Sequence, residues 1–189
     1  EQHGHMEAVG YDMYCKMLNE AVKHLKGEME EIDFVTTLDL NVDAYIPDSY
    51  IPNEYQKLDI YKRIAAIETE EEKEDMIEEL TDRFGDLPKK VEKLLAAASL
   101  KAFAHSIYVT SVEQKGEAYL FTMYEKAKID TRKIPKLLER FRGELAIRTE
   151  AQAPCFVYEK KGKNRKEKGM DAFEVVKNVL NEMKGLIEE

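Results

Sequence analysis

Hydrophobic positions along this chain change period several times. Tyr14, Met17, Leu18, Ala21, Val22 and Leu25 follow a 3.6-residue repeat and predict a helix over residues 6–26, with Gly27 as a natural stop. Residues 27–35 have no clean period and many charges, and read as a linker. The period then becomes two. Leu38, Leu40, Val42 and Ala44 alternate with Thr37, Asp39, Asn41 and Asp43, the pattern of a half-buried strand. Pro47 marks its end, and Pro52 precedes the next helix. A globular unit is therefore expected from about Thr36, with the first helix tethered to it.

Three short helices should follow. Leu58, Tyr61, Ile64 and Ala65 pattern a helix over 53–67, a second spans 70–84, and Val91, Leu94, Leu95, Ala98 and Ala102 stripe a third over 88–105. Tight connections make them packing neighbours. From Ile107 the period is two again. Tyr108, Thr110 and Val112 should share one strand face, Gln114-Lys115-Gly116-Glu117 signals a hairpin turn, and 118–124 is the return strand. A short helix over 131–141 tolerates Pro135 only near its first turn. Strands at 144–149 and 154–160 follow. The last helix, over 171–187, is striped by Phe173, Val176, Leu180, Met183 and Ile187, with Asp171 and Glu174 as its expected caps and the sheet as its expected packing surface. The fold class is α+β: an N-terminal helix and tether (1–26 and 27–35), then a small domain over 36–189 with a helical cluster packed on a mostly antiparallel sheet.

The second of the three helices carries the most information. Thr69 with Glu72 fits a capping box, and Met76, Ile77, Leu80 and Phe84 lie on one face. Asp75, Glu79 and Asp82 recur as a second stripe turned away from it. Gly85 suits a helix end, and Pro88 stands where the next helix should start. Asp82 is out of place. A carboxylate in the last turn faces the negative end of the helix dipole, which costs about 0.3–1 kcal/mol. Arg83 has the right sign there and can reach Glu79 four residues back. Two readings follow: a solvated face with one local salt bridge, or an acidic docking strip for an arginine-bearing partner.

Composition narrows the class. The chain has 189 residues, 43% apolar and 35% charged, as in a soluble globular protein with one good core or two small ones. The longest purely apolar run, Leu94 to Ala98, is far short of a membrane span, and no signal or transit peptide is visible. The first residue is Glu1, which suggests a fragment or processed chain. A net charge of −9 argues against a whole surface built for nucleic acid and favours basic protein partners or plain solubility. Cys15 and Cys155, far apart and without CxxC spacing, are expected to be reduced thiols of a cytoplasmic protein.

No catalytic constellation emerges. Phosphate-binding glycine motifs and the nucleophile elbow are absent, and His3, His5, His24 and His105 are not spaced for a metal. The one concentrated positive patch runs over 160–168 and includes Lys160, Lys161, Lys163, Arg165 and Lys166. It reads as an exposed loop or as a contact to phosphate or an acidic partner; without interleaved aromatics, base stacking is not expected. The residues alone describe a non-catalytic α+β interaction domain behind a helical tether. A nucleic-acid accessory domain using the basic loop, and a hydrolase with an unrecognised carboxylate pair, are the alternatives.

Three stretches carry a resemblance to the C-terminal part of the bacterial transcription-repair coupling factor family. Glu1-Gln2-His3-Gly4-His5-Met6 followed by Gly10-Tyr11-Asp12-Met13-Tyr14 is similar to the end of the family's translocation motif. Tyr61-Lys62-Arg63-Ile64-Ala65 is similar to the first helix of its C-terminal domain. Glu79-Leu80-Thr81-Asp82-Arg83-Phe84-Gly85, with Pro88, is similar to that domain's most recognisable stretch. The resemblance spans nearly the whole chain and weakens after about residue 105. It implies a parent that is an ATP-dependent DNA translocase, displaces stalled RNA polymerase and recruits excision repair, with ATP and Mg held by motor motifs absent here. It implies a non-catalytic regulatory domain that packs on the N-terminal module of the same polypeptide and masks the surface used by the damage-recognition subunit. By the same resemblance Glu79 and Asp82, with Arg83, carry that contact, and Gln2 matches the coupling glutamine, cut off from its partner arginine. His3 stands where relatives often have a small residue such as serine.

Overall fold

The computed structural model describes residues 34–149, 152–161 and 171–187. The expected helix over 6–26 and the linker over 27–35 lie outside them except for residues 34 and 35. The described chain falls into two compact units, one made of residues 34–35 and Val42–Ala102 and one made of Thr36–Asn41 together with Phe103–Glu189. The class is α+β, as the periodicity predicts, with the helical cluster in one unit and the sheet in the other.

The helical unit contains α1 (Glu54–Ala65), α2 (Glu70–Phe84) and α3 (Lys89–Ser106), the last of which continues into the second unit past Ala102. Asn53 caps α1 by accepting from the Gln56 amide at 3.0 Å. The buried face of α1 is Lys57, Ile60, Tyr61 and Ile64, so Leu58, expected in the core, lies outside at 45% exposure. The stripe is turned by one residue because Lys57 takes the first apolar position. Its stem is buried while its amino group pairs with Asp48. Ile46 and Ile51, from the segment before α1, join Ile60, Ile64, Ile67, Met76, Leu80, Val91, Leu94 and Leu95 in one core. The Tyr61 hydroxyl accepts from the buried Ile46 amide at 2.9 Å, so the ring is buried with its polar atom satisfied.

The second unit is a five-stranded sheet in the order β1-β2-β3-β5-β4, where β1 is Thr37–Asp39, β2 Val109–Lys115, β3 Ala118–Met123, β4 Leu145–Arg148 and β5 Cys155–Glu159. Among the described residues only the β1–β2 pairing is parallel. The alternation over residues 37–44 survives in exposure, but only three residues join the ladder. Asn41 then gives its amide to the Gln114 side chain at 2.9 Å, and the chain passes into the helical unit. The expected face Tyr108, Thr110, Val112 is corrected by a bulge between Val109 and Ser111. Tyr108 takes a left-handed φ of 63° and stays 39% exposed, so Val109 and Val112 are the residues that turn inward. The Thr36 hydroxyl donates to the Val109 carbonyl at 2.7 Å. Its one proton is thereby used, so His105 Nδ1, 3.1 Å away, is the donor of that pair.

The hairpin turn falls where the sequence marks it, with Gly116 at φ 61° and strands joined from Lys115 to Ala118. Tyr119 and Phe121 on β3 stand opposite Tyr158 and Phe156 on β5, and all four are buried. A 3-10 turn at Thr131–Lys133 leads into α4 (Ile134–Arg140), with Pro135 in its first turn. The last helix, α5 (Ala172–Met183), buries Phe173, Val175, Val176, Val179, Leu180 and Met183. It gives way to a 3-10 turn before Ile187, which bridges to Ile129. Asp171 holds the N-cap position, but its side chain makes no capping bond. Its backbone carbonyl accepts from Glu174 and Val175 instead.

Candidate functional site

The outward face of α2 beside α1 gathers the charged residues that the sequence marks. The helix is locked at both ends. At its start the Thr69 hydroxyl accepts from the Glu72 amide at 3.1 Å, and the Glu72 carboxylate reaches back to the Glu68 amide at 2.9 Å, one residue beyond the cap itself. At its end Gly85 has φ 92° and ψ −167°, a region open essentially to glycine alone. The Tyr50 hydroxyl shares its proton between the carbonyls of Leu80 (3.1 Å) and Gly85 (2.8 Å), and its ring packs on Phe84 at 5.8 Å. With Met76 and Leu80 in the core, the register of α2 fixes which side chains face out.

Glu79 and Asp82 both face out, but in different company. Arg63, in the last turn of α1, grips Glu79 with two parallel bonds: Nη2 to Oε1 at 2.7 Å and Nη1 to Oε2. Arg83 adds a bond from Nη1 to Oε2 at 3.3 Å, the i−4 contact the sequence predicts. Hydrogen bonds from Arg63 chiefly, opposed in part by burial, hold the Glu79 carboxyl below the usual range. The same bonds raise Arg63. Glu79 and both arginines keep 35–40% of their side-chain surface exposed, so each pair contributes at most about 1 kcal/mol. The Arg83 guanidinium also lies 4.9 Å from the Phe84 ring centre. Asp82 is exposed and, among the described residues, has no hydrogen bond or ion pair.

The sequence places Glu79, Asp82 and Arg83 together, and the structure does too. What the sequence reading misses is Arg63. It lies 16 residues from Glu79, on another helix. The signal is faint: a basic residue ending one amphipathic helix, flanking an acidic stripe on the next. Only the packing of the two apolar faces brings the flanks together.

Other expected site residues separate. Lys160 and Lys161 are exposed just after β5. Gln2, Lys163, Arg165 and Lys166 lie outside the described residues, as do Cys15, His3, His5 and His24. Cys155 is a free, half-buried thiol. Among the described residues no cluster of His, Cys, Asp and Glu could hold a metal, and no helix is long and apolar enough to cross a membrane. In the sheet unit burial, then the Glu144 carboxylate, push the Tyr158 phenol up to about 12; it donates to Glu144 at 3.2 Å. That phenol stays protonated and serves structure.

Comparisons with known proteins point to one family. A family model described as the TRCF domain matches residues 40–134. The transcription-repair-coupling factor of Bacillus subtilis (strain 168) is 35% identical over 98% of this chain, and that of Borreliella burgdorferi is 32% identical over 83% of it. The Staphylococcus haemolyticus relative is 41% identical over 67%. The chain spans only 16%, 14% and 11% of these relatives' lengths. Among solved structures, the crystal structure of a C-terminal domain of transcription-repair coupling factor superposes with a TM-score of 0.63 at 26% identity, covering 80% of this chain and 90% of that one. The fold, the motif around Glu79 and these matches agree: the chain belongs to the transcription-repair-coupling factor family and corresponds to its C-terminal domain.

Proposed function

We propose that this chain is the non-catalytic regulatory domain of an ATP-dependent DNA translocase that displaces stalled RNA polymerase and recruits nucleotide excision repair. Residues 1–26 carry the end of the motor's translocation motif, Gln2 included, and 27–35 tether the domain to it. ATP and Mg belong to the motor. DNA is held by the parent protein rather than by this domain. The domain packs on the N-terminal module of the same polypeptide and covers the surface that the damage-recognition subunit takes, through Glu79, Asp82 and Arg83.

The observation that carries this reading is Asp82: an exposed carboxylate set against the negative end of its own helix, with no ion pair among the described residues. Its intrahelical contact is unfavourable, so its gain has to come from outside the helix. A guanidinium is the matching group, because it meets a carboxylate with two parallel bonds. The test is the Glu79→Ala, Asp82→Ala double variant of the full-length polypeptide. It should bind the damage-recognition subunit more tightly and show higher basal translocation. If the contact is desolvated, the change is about 2–5 kcal/mol; at a wet rim it is about 0–1 kcal/mol. Unchanged binding in a pulldown would remove the reading.

A further inference from the structure

The two carboxylates of this site do not offer the same thing to a partner. An ionised carboxylate has about four lone-pair positions. At Glu79 three are filled from within the domain: one on Oε1 by Arg63, and two on Oε2 by Arg63 and Arg83. One position, on Oε1, is left. Asp82, three residues on along the same helix, is open on both oxygens among the described residues. Residues at that spacing are neighbours on a helix surface. Two guanidinium charges beside one bonded carboxylate also repel an approaching cation, and Asp59 next to Arg63 offsets this only in part.

We propose that Arg63 is an internal rival of the docking partner's arginine, occupying Glu79 in the free domain and thereby limiting how tightly the surface closes on that partner. The proposal rests on the docking role given above for Glu79 and Asp82. The incoming guanidinium bridges Asp82 and the one open position on Glu79, or displaces Arg63. Either route is weaker than capture by two free carboxylates. Arg63 suits the part because its grip is exposed: its side chain is 40% accessible and can swing away without opening the core, which is held by Ile60, Ile64 and Leu80. A releasable contact is thus tuned by a residue of the domain itself.

The experiment uses the full-length polypeptide that carries this chain. It measures the salt concentration at which the damage-recognition subunit begins to bind, because salt weakens the exposed clasp. Arg63→Met keeps the aliphatic stem and frees Glu79. It should raise that salt concentration and lower subunit affinity at fixed salt by roughly two- to five-fold, the range of one exposed ion pair. Arg63→Lys, which cannot grip with two parallel bonds, should fall between wild type and Arg63→Met. Adding Glu79→Gln to Arg63→Met should abolish the gain, since no carboxylate is then freed. Subunit binding that is unchanged or tighter in Arg63→Met, while Asp82→Ala still opens the clasp, overturns this proposal and leaves the docking reading standing. If neither variant moves the salt concentration, both fall together.

Discussion

The two ends of α2 are built on opposite terms. At its start three glutamates, Glu70, Glu71 and Glu72, lie at the positive end of the dipole, and the Thr69–Glu72 pair satisfies the amides of Glu72 and Glu68 within the segment. Local charge and local hydrogen bonding agree there. At its end Asp82 opposes the dipole. The carbonyls of Leu80 and of the capping Gly85 are met by Tyr50, 30 and 35 residues upstream in sequence, and the turn needs a glycine with positive φ. Arg83, the one residue of favourable sign in the last turn, is drawn back to Glu79. The first end is self-sufficient; the second depends on the rest of the unit and leaves one charge for use elsewhere. Charge that a helix could spare without loss is where an outside partner gains most.

The sharpest way to break this comparison is Gly85→Ala. A Cβ there meets no atom within 4 Å, so the cost is backbone strain alone, about 1–3 kcal/mol. Urea unfolding of the chain should show a lower midpoint. An unchanged midpoint would mean that the C-terminal end tolerates ordinary residues and is not special. Next come the opposed charge and cap variants. Thr69→Ala should lower stability by about 1 kcal/mol, since it removes an N-cap. Asp82→Asn should raise it by about 0.3–1 kcal/mol, since it removes a charge set against the dipole. Matched thermal melts give both signs. An Asp82→Asn chain that melts earlier would show that Asp82 stabilises its own unit, and the contrast between the ends would collapse.

A last effect concerns pH. The folded-state pKa of Glu79 is depressed below its ordinary 4.5. Its contribution to stability is therefore present above that value and is lost as pH falls through the lower folded pKa. Glu79→Gln removes both ion pairs, so the stability difference from wild type should be at most about 2 kcal/mol near neutrality and should shrink on acidification from pH 4.5 downward. Paired urea titrations at several pH values check it. A difference that persists at the lowest pH would assign Glu79 a role other than ion pairing.

Much of this was readable in the residues because it is local. A Thr-x-x-Glu cap, a glycine at a helix end, a Lys-Gly-Glu turn and an i−4 ion pair each depend on neighbours within a few positions. Elements whose apolar stripe was clear, such as α3 and β3, fell at nearly their expected bounds. The failures involve competition between equal claims. Leu58 and Lys57 are adjacent, and hydropathy favours the leucine, yet packing put Lys57 inside because Asp48 stands ready for its amino group. Tyr108 to Val112 alternates on paper, but the bulge advances the strand by a residue. The 37–44 alternation is real in exposure, yet a strand lasts only as long as a neighbour pairs with it.

The sequence by itself determined the class of the fold, the ends of α2 and the pair Glu79 and Asp82 as one outward face, since all of these follow from spacing along one chain segment. Tertiary structure alone decided that the pair is unequal. Arg63 reaches Glu79 only once α1 and α2 bury their apolar faces together, and no residue does the same for Asp82 among those described. Spacing fixes which side chains share a face; the crossing of two helices fixes which of them is already engaged.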